Sequence, residues 1–328
     1  MNELRNNAVS EVAIDEASAG QRLDNFLART LKGVPKSHLY RIVRSGEVRV
    51  NGRRAGPDAR LAEGDRVRIP PIRTAQPANP ASLAAGAARA GERLVVLYED
   101  DDLIALDKSA GVAVHGGSGI AHGVIERLRA ARPQARFLEL VHRLDRETSG
   151  VLLVAKKRAA LTALHAAWRA GEVDKRYLVL ARGRWRDAKR VVKLAVHRYT
   201  TREGERRVRV EDEGQHAQTT FRRVTVWPER DPPLALLEAE LHTGRTHQIR
   251  VHLTHLGFPL AGDDKYGDFA WNRELAKAGL KRMFLHAARL ALAHPRTGEA
   301  LAFASPLPPD LAGFVASLGA GVTEAARG

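Results

Sequence analysis

The chain of 328 residues contains no cysteine and two methionines, and Phe, Tyr and Trp together make up 5% of it. The first absence excludes disulfides, thiolate metal ligands and a cysteine nucleophile, and leaves the compartment open. No stretch approaches the roughly 18 consecutive apolar residues of a membrane span. Met1–Asp15 has acidic residues and no apolar core of a secretory signal. The expectation is a soluble, cytoplasmic protein without membrane contact. Catalytic signatures of several large classes are also missing. His115–Gly119, HGGSG, is glycine-rich enough for an anion-binding backbone nest, but it lacks the Gly-Lys-Ser/Thr ending of a nucleotide loop. Ser118 and Ser149 stand outside a Gly-x-Ser-x-Gly elbow. His242, His247, His252 and His255 cluster in sequence without an HExxH pattern, and only His252 and His255 share a helical face, so no metal and no cofactor is assigned.

Positive charge is what the chain has in excess. Lys and Arg number 53 against 38 Asp and Glu, a formal +15 with a pI near 10.6, which favours a polyanionic partner. Gln21 to Arg73 holds thirteen basic and five acidic side chains, so more than half of the surplus lies there. The length suits about two domains. Composition and periodicity divide the chain into a lead-in at 1–19, a small domain at 20–70, a Pro/Ala/Gly linker at 71–91, a large domain at 92–320 and a tail at 321–328.

In the small domain, Leu23, Phe26, Leu27 and Leu31 share one helical face, and a second short helix follows Pro35 and stops at Gly46. The outer face of that second helix offers Ser37, Arg41 and Arg44 as RNA contacts. Alternating residues around Val48–Val50 and Val67–Ile69 then predict short strands, giving an ααβ-type module with a basic face. In the large domain, strands are expected at 94–98, 103–108, 137–141, 151–155, 173–181, 218–227 and 234–242, with Met283–Ala293 and Ala300–Ala304 closing the sheet. Helices are expected at 123–131, around 161–168, at 247–256 and at 309–318, and an Arg-rich exposed hairpin at 198–209. Many strands with few helices argue for α+β with a mixed, mainly antiparallel sheet.

The stretch around which these elements are ordered is Val141–Gly150, VHRLDRETSG, a charged loop between two strands. The tripeptide alone has no specificity, because Arg22-Leu23-Asp24 repeats Arg143-Leu144-Asp145 in other surroundings. Taken singly, Tyr177 reads equally as a sheet aromatic and Arg250 as a helix-surface cation.

Longer motifs carry two resemblances. RLDNFL, RIVRSGEVRVNG and LAEGDRVRIP, in this order, resemble the S4 RNA-binding domain. HRLDRETSG, KRY at Lys175–Tyr177, HTGRTHQIRVH at His242–His252, GDDKYG at Gly262–Gly267 and HAARL at His286–Leu290 resemble RluA-family pseudouridine synthases. The S4-like module in front, with GVAVHGGSG at Gly111–Gly119, makes the chain most similar to the RluC type. One departure is Ser109 in DKSAG, where the family has proline. The resemblance implies the pseudouridine synthase fold and isomerisation of uridine in RNA, most similar to action on 23S ribosomal RNA, without metal or nucleotide cofactor. A monomer is expected. It implies Asp145 as nucleophile, Arg250 as its ion-pair partner, Tyr177 stacking on a flipped uracil and Arg143 filling the gap the base leaves. Arg245 and His247 of the same motif are read as RNA contacts. A guanidinium beside a carboxylate favours the ionised form that this chemistry needs near phosphates. Attack at C1′, attack at C6 and a glycal-type elimination all remain open for Asp145. The rival reading is a non-catalytic S4-type RNA-binding or ribosome-assembly protein.

Overall fold

The computed structural model describes residues 9–15, 18–31, 34–72, 94–116, 123–202 and 204–323. Most of the expected linker and Gly117–Gly119 of the expected nest lie outside the described residues. Of the loop before them, the Gly116 N–H is taken by the Glu126 carboxylate at 3.0 Å. The chain divides into two compact units, Met1–Gly91 with Gln134–Phe137, and Glu92–Pro133 with Leu138–Gly328.

In the first unit, helices Leu23–Thr30 and Lys36–Arg44 pack on a three-stranded antiparallel sheet. The Arg66–Ile69 strand lies between Ser10–Ala13 and Arg49–Val50, so the lead-in contributes a strand of its own. Leu23, Phe26, Leu27, Leu39, Ile42, Val43, Val67 and Ile69 form its core, as their spacing along helix and strand requires.

The second unit is built on an eleven-stranded sheet. Its main path runs Val322–Thr323, Gln218–Trp227, Leu234–Leu241, Asp174–Arg182, Leu285–Ala293, Ser149–Ala155, Leu103–Lys108 and Val95–Glu99. One neighbouring pair, Leu285–Ala293 with Ser149–Ala155, is parallel, and the other pairs are antiparallel. The sheet is thus mixed and mainly antiparallel, as expected. Ser149–Ala155 is buried along its whole length, and each fully buried Val or Leu there contributes roughly 1.5–3 kcal/mol.

Four details differ from the sequence reading. Leu285–Ala293 lies in the middle of the sheet rather than closing it, paired with Asp174–Arg182 on one side and Ser149–Ala155 on the other. Gly150 makes this possible: at φ +110, an added Cβ would lie 2.2 Å from the Ala287 carbonyl oxygen. The strand expected at 137–141 shrinks to Glu139–Leu140, since Val141 already turns into the charged loop. A strand at Lys189–Lys193 pairs with Gln218–Trp227, its basic residues having hidden the period of two. A helix at Phe269–Lys277 follows Asp268, whose carboxylate caps it by accepting from the Trp271 N–H at 3.0 Å. The Arg-rich hairpin is present as Val196–Thr200 paired with Arg206–Val210. No helix among the described residues is long and apolar enough to cross a membrane.

Candidate active site

The loop before Ser149–Ala155 is held from several sides. Leu144 is buried, so the flanking Arg143 and Asp145 are turned away from the core. The Thr148 N–H closes a turn on the Asp145 carbonyl at 3.1 Å. Lys108, 2% exposed, donates to the carbonyls of Ser109, Val112 and Arg146 at 2.9, 2.8 and 3.1 Å. Arg146 and Gly111 exchange two further hydrogen bonds of 2.9 Å. Ser109 therefore sits in a loop tied to the charged stretch by a buried ammonium. Behind the loop, Ser149 Oγ lies 2.9 Å from His286 Nδ1, and Ser305 accepts from the other ring nitrogen through its carbonyl at 2.9 Å. His142, stacked on Trp168 at 5.0 Å, takes the Leu153 N–H at 3.1 Å. Burial, with Lys175 nearby, lowers its pKa to about 4, so it is a neutral acceptor.

Asp145 meets residues from a distant part of the chain. Helix Gln248–His255 presents Arg250, whose Nη1 donates to Asp145 Oδ2 at 3.1 Å. Arg250 is 4% exposed, so the helix-surface reading does not hold. Its other edge forks onto Asp263, Nε to Oδ2 at 2.8 Å and Nη2 to Oδ1 at 2.6 Å, with the exposed Asp264 at 3.4 Å. Burial works against both charges. Their mutual hydrogen bonds, with Asp145 on one side and the Lys265 and Tyr266 N–H groups on the other, outweigh it, so the guanidinium pKa is raised and the Asp263 carboxyl is held below the usual carboxylate range. The fork fixes the guanidinium plane, and with it the direction of the bond to Asp145.

Two adjoining cavities, of about 190 and 460 Å³, share Arg143, Leu144, Asp145, His247 and Arg250 as wall residues. Tyr177, on strand Asp174–Arg182 opposite Ala239, lines the smaller one with Thr148, Leu241 and Leu285. Burial and the nearby Asp145 raise its phenol pKa, so it is a neutral ring. Arg143, Arg198 and Arg245 are exposed around this cavity. Among the described residues Arg143 makes no ion pair, and Arg245 donates to the His216 carbonyl at 3.1 Å. A carboxylate at the floor, an aromatic wall and a cationic rim suit a flat base carried on an anionic backbone.

The site residues expected in the larger domain, Asp145, Tyr177, Arg250, Arg143, Arg245 and His247, thus line one pair of cavities. Ser37, Arg41 and Arg44 belong to the first unit and are exposed on helix Lys36–Arg44. There Arg41 reaches Glu47 at 3.3 Å, and Arg44 lies over the Tyr40 ring at 5.9 Å. The four clustered histidines do not converge. His242 bonds Thr220, His247 faces Asp145, His252 lies between Thr219 and the Leu194 carbonyl, and His255 is exposed. Among the described residues, a group of three possible metal ligands occurs instead at Asp100, Asp102 and His294. Their atoms are already engaged with Arg296, Lys157, Tyr98 and backbone N–H groups. Asp263 and Tyr266 had no assigned role in the sequence reading. GDDKYG was the available signal, but only folding brings it against Arg250.

Comparison with known proteins gives a consistent picture. A family model described as RNA pseudouridylate synthase matches residues 102–255, and an S4 domain matches residues 21–67. The chain is 50% identical over 306 residues to the ribosomal large subunit pseudouridine synthase C of Salmonella typhi, covering 93% of this chain and 95% of that one. The protein of the same name from Escherichia coli K12 is similar to the same extent. Among solved structures, human RNA pseudouridylate synthase domain containing 1 aligns with a TM-score of 0.56 at 26% identity, over 71% of this chain and 90% of that one.

Proposed function

We propose, on the premise that this chain belongs to the RNA pseudouridylate synthase family, that it isomerises uridines of large-subunit ribosomal RNA with Asp145 as the nucleophile. The N1–C1′ bond breaks, uracil turns and the C5–C1′ bond forms, while the C5 proton leaves and N1 gains one. Nothing is oxidised, reduced or hydrolysed. A stacked base must first leave its helix, at a cost of a few kcal/mol. Stacking on the Tyr177 ring, worth roughly 1–3 kcal/mol, recovers part of that, and the planar Arg143 guanidinium suits the vacated position in the RNA. Arg198 and Arg245 add phosphate contacts at the rim. In the S4 domain, which this reading bounds at 20–70, Ser37, Arg41 and Arg44 add salt-sensitive backbone affinity. The catalytic domain is bounded at 92–320. The same reading takes the enzyme to act as a monomer in the cytoplasm, where its ribosomal RNA substrate is made.

The observation that carries the assignment is the convergence of Asp145, Tyr177 and Arg250 on one cavity. Asp145→Asn is expected to lower pseudouridine formation at least about 10³-fold, read as release of label from C5 of uridine, with RNA affinity near that of the parent. Turnover near the parental rate overturns Asp145 as nucleophile. Mapping pseudouridine in ribosomal RNA from cells lacking and regaining the protein identifies the uridines.

A further inference from the structure

Asp145 is approached from the protein through one oxygen. Arg250 Nη1 lies 3.1 Å and His247 Nε2 3.6 Å from Oδ2, whereas Oδ1 makes no hydrogen bond among the described residues. The other nitrogen of His247 is occupied, since Nδ1 lies 2.8 Å from the Tyr266 hydroxyl. That hydroxyl oxygen already accepts the backbone N–H of Val208 at 2.9 Å, so its own proton is available for Nδ1. The phenol, pushed up to about 12 chiefly by burial, keeps that proton. Donation to Nδ1 leaves neutral His247 with its hydrogen on Nε2, the nitrogen that faces Asp145. Burial favours this neutral form against the pull of Asp145, and the nearby Arg250 and Lys265 add to burial, while Asp263 opposes it. The backbone is bent to reach this pose: His247 has φ +53, a left-handed conformation costing a non-glycine residue roughly 1–2 kcal/mol.

We propose that His247 is a positioning residue: with Arg250 it holds Asp145 by Oδ2, so that Oδ1 is the oxygen presented to the uridine, and Tyr266 fixes the His247 tautomer that does so. The proposal rests on Asp145 as nucleophile and assigns His247 a task other than touching RNA. It also links the Val196–Val210 hairpin to the chemistry. The Val208 N–H bonds Tyr266, Tyr266 bonds His247, and Arg198, on the strand paired with Val208, lines the Asp145 cavity. Seating of the hairpin thereby reaches the nucleophile through two hydrogen bonds and one close approach.

The test measures single-turnover pseudouridine formation and RNA affinity, on a large-subunit ribosomal RNA transcript, for the parent and for H247N, H247Q, Y266F and H247N/Y266F. Asparagine tolerates the left-handed backbone and leaves nothing at the Nε2 position. The longer glutamine amide reaches it. H247N is expected to slow the chemical step on the order of 10²-fold at unchanged affinity, as misplacement of a reacting group does. H247Q restores part of that rate, Y266F loses less, and the double variant is no slower than H247N, because Tyr266 acts through His247. An unchanged rate with weakened RNA binding makes His247 an RNA contact and overturns the proposal. Independent, multiplicative losses in the double variant, or no recovery in H247Q, overturn it as well. D145N run in the same series separates the premise: if it turns over like the parent, the nucleophile assignment has failed, whatever the His247 variants do.

Discussion

Arg22-Leu23-Asp24 and Arg143-Leu144-Asp145 share three residue types and a buried central leucine, yet their charges are used in opposite ways. In the first, Arg22 Nη2 closes directly onto Asp24 Oδ2 at 2.9 Å, and the Tyr40 hydroxyl and Asn25 N–H take up the rest of the carboxylate. The aspartate is spent locally, at the start of a helix, with its arginine 45% exposed. In the second, no hydrogen bond joins the two side chains. Asp145 is held by an arginine 105 residues away, itself clamped by a fully buried aspartate, and Arg143 is left facing the cavity. An i, i+2 ion pair satisfies itself. A carboxylate held from behind by the tertiary fold keeps one oxygen without a hydrogen bond among the described residues.

The widest separation between the two regions is expected at Asp263, which has no counterpart near Asp24. Asp263→Asn leaves the buried Arg250 without its one fully buried carboxylate partner, and should cost about 3–5 kcal/mol in urea unfolding. Because the folded-state pKa of Asp263 is lowered, its contribution is complete above the unfolded carboxyl pKa near about 4 and fades as pH falls through the folded value. The parent should therefore lose stability on acidification more steeply than the variant. Equal slopes would show that the fork is not what holds Arg250.

Next comes Arg250→Lys, which keeps the charge and loses the fork. A drop of about 10²-fold in turnover at retained folding is expected, since one ammonium cannot bond Asp145 and both Asp263 oxygens in a fixed plane. Full activity would reduce the pair to simple charge balance. Smaller still, Arg41→Gln with Arg44→Gln should leave the chemical step at saturating RNA unchanged and reduce the slope of log affinity against log salt by roughly one per phosphate contact removed. An unaltered slope removes these two arginines from the RNA interface. The least effect belongs to Asp24→Asn, expected to shift the melting midpoint slightly at low salt and not at all near 1 M, where exposed pairs are screened. A large, salt-independent shift would erase the contrast between the two tripeptides.

Much of the architecture was legible beforehand because it depends on local periodicity. Leu23, Phe26 and Leu27 on one helical face, the alternation at Val67–Ile69 and the strands at 218–227 and 234–242 need only neighbours in sequence. At Lys189–Lys193 the basic residues mask the period of two and hide the strand, whereas at Leu285–Ala293 the strand is legible and only its central place is not, since that depends on Gly150 letting two backbones approach. By itself the sequence determined the two-part layout, the basic surplus and, through long ordered motifs, the family and the residues around Asp145. Only the tertiary structure decided that Arg250 is clamped by Asp263, that Tyr266 holds His247, and which Asp145 oxygen is engaged. Those choices are contacts between side chains far apart in the chain, and a buried charge gets its partner from packing rather than from spacing.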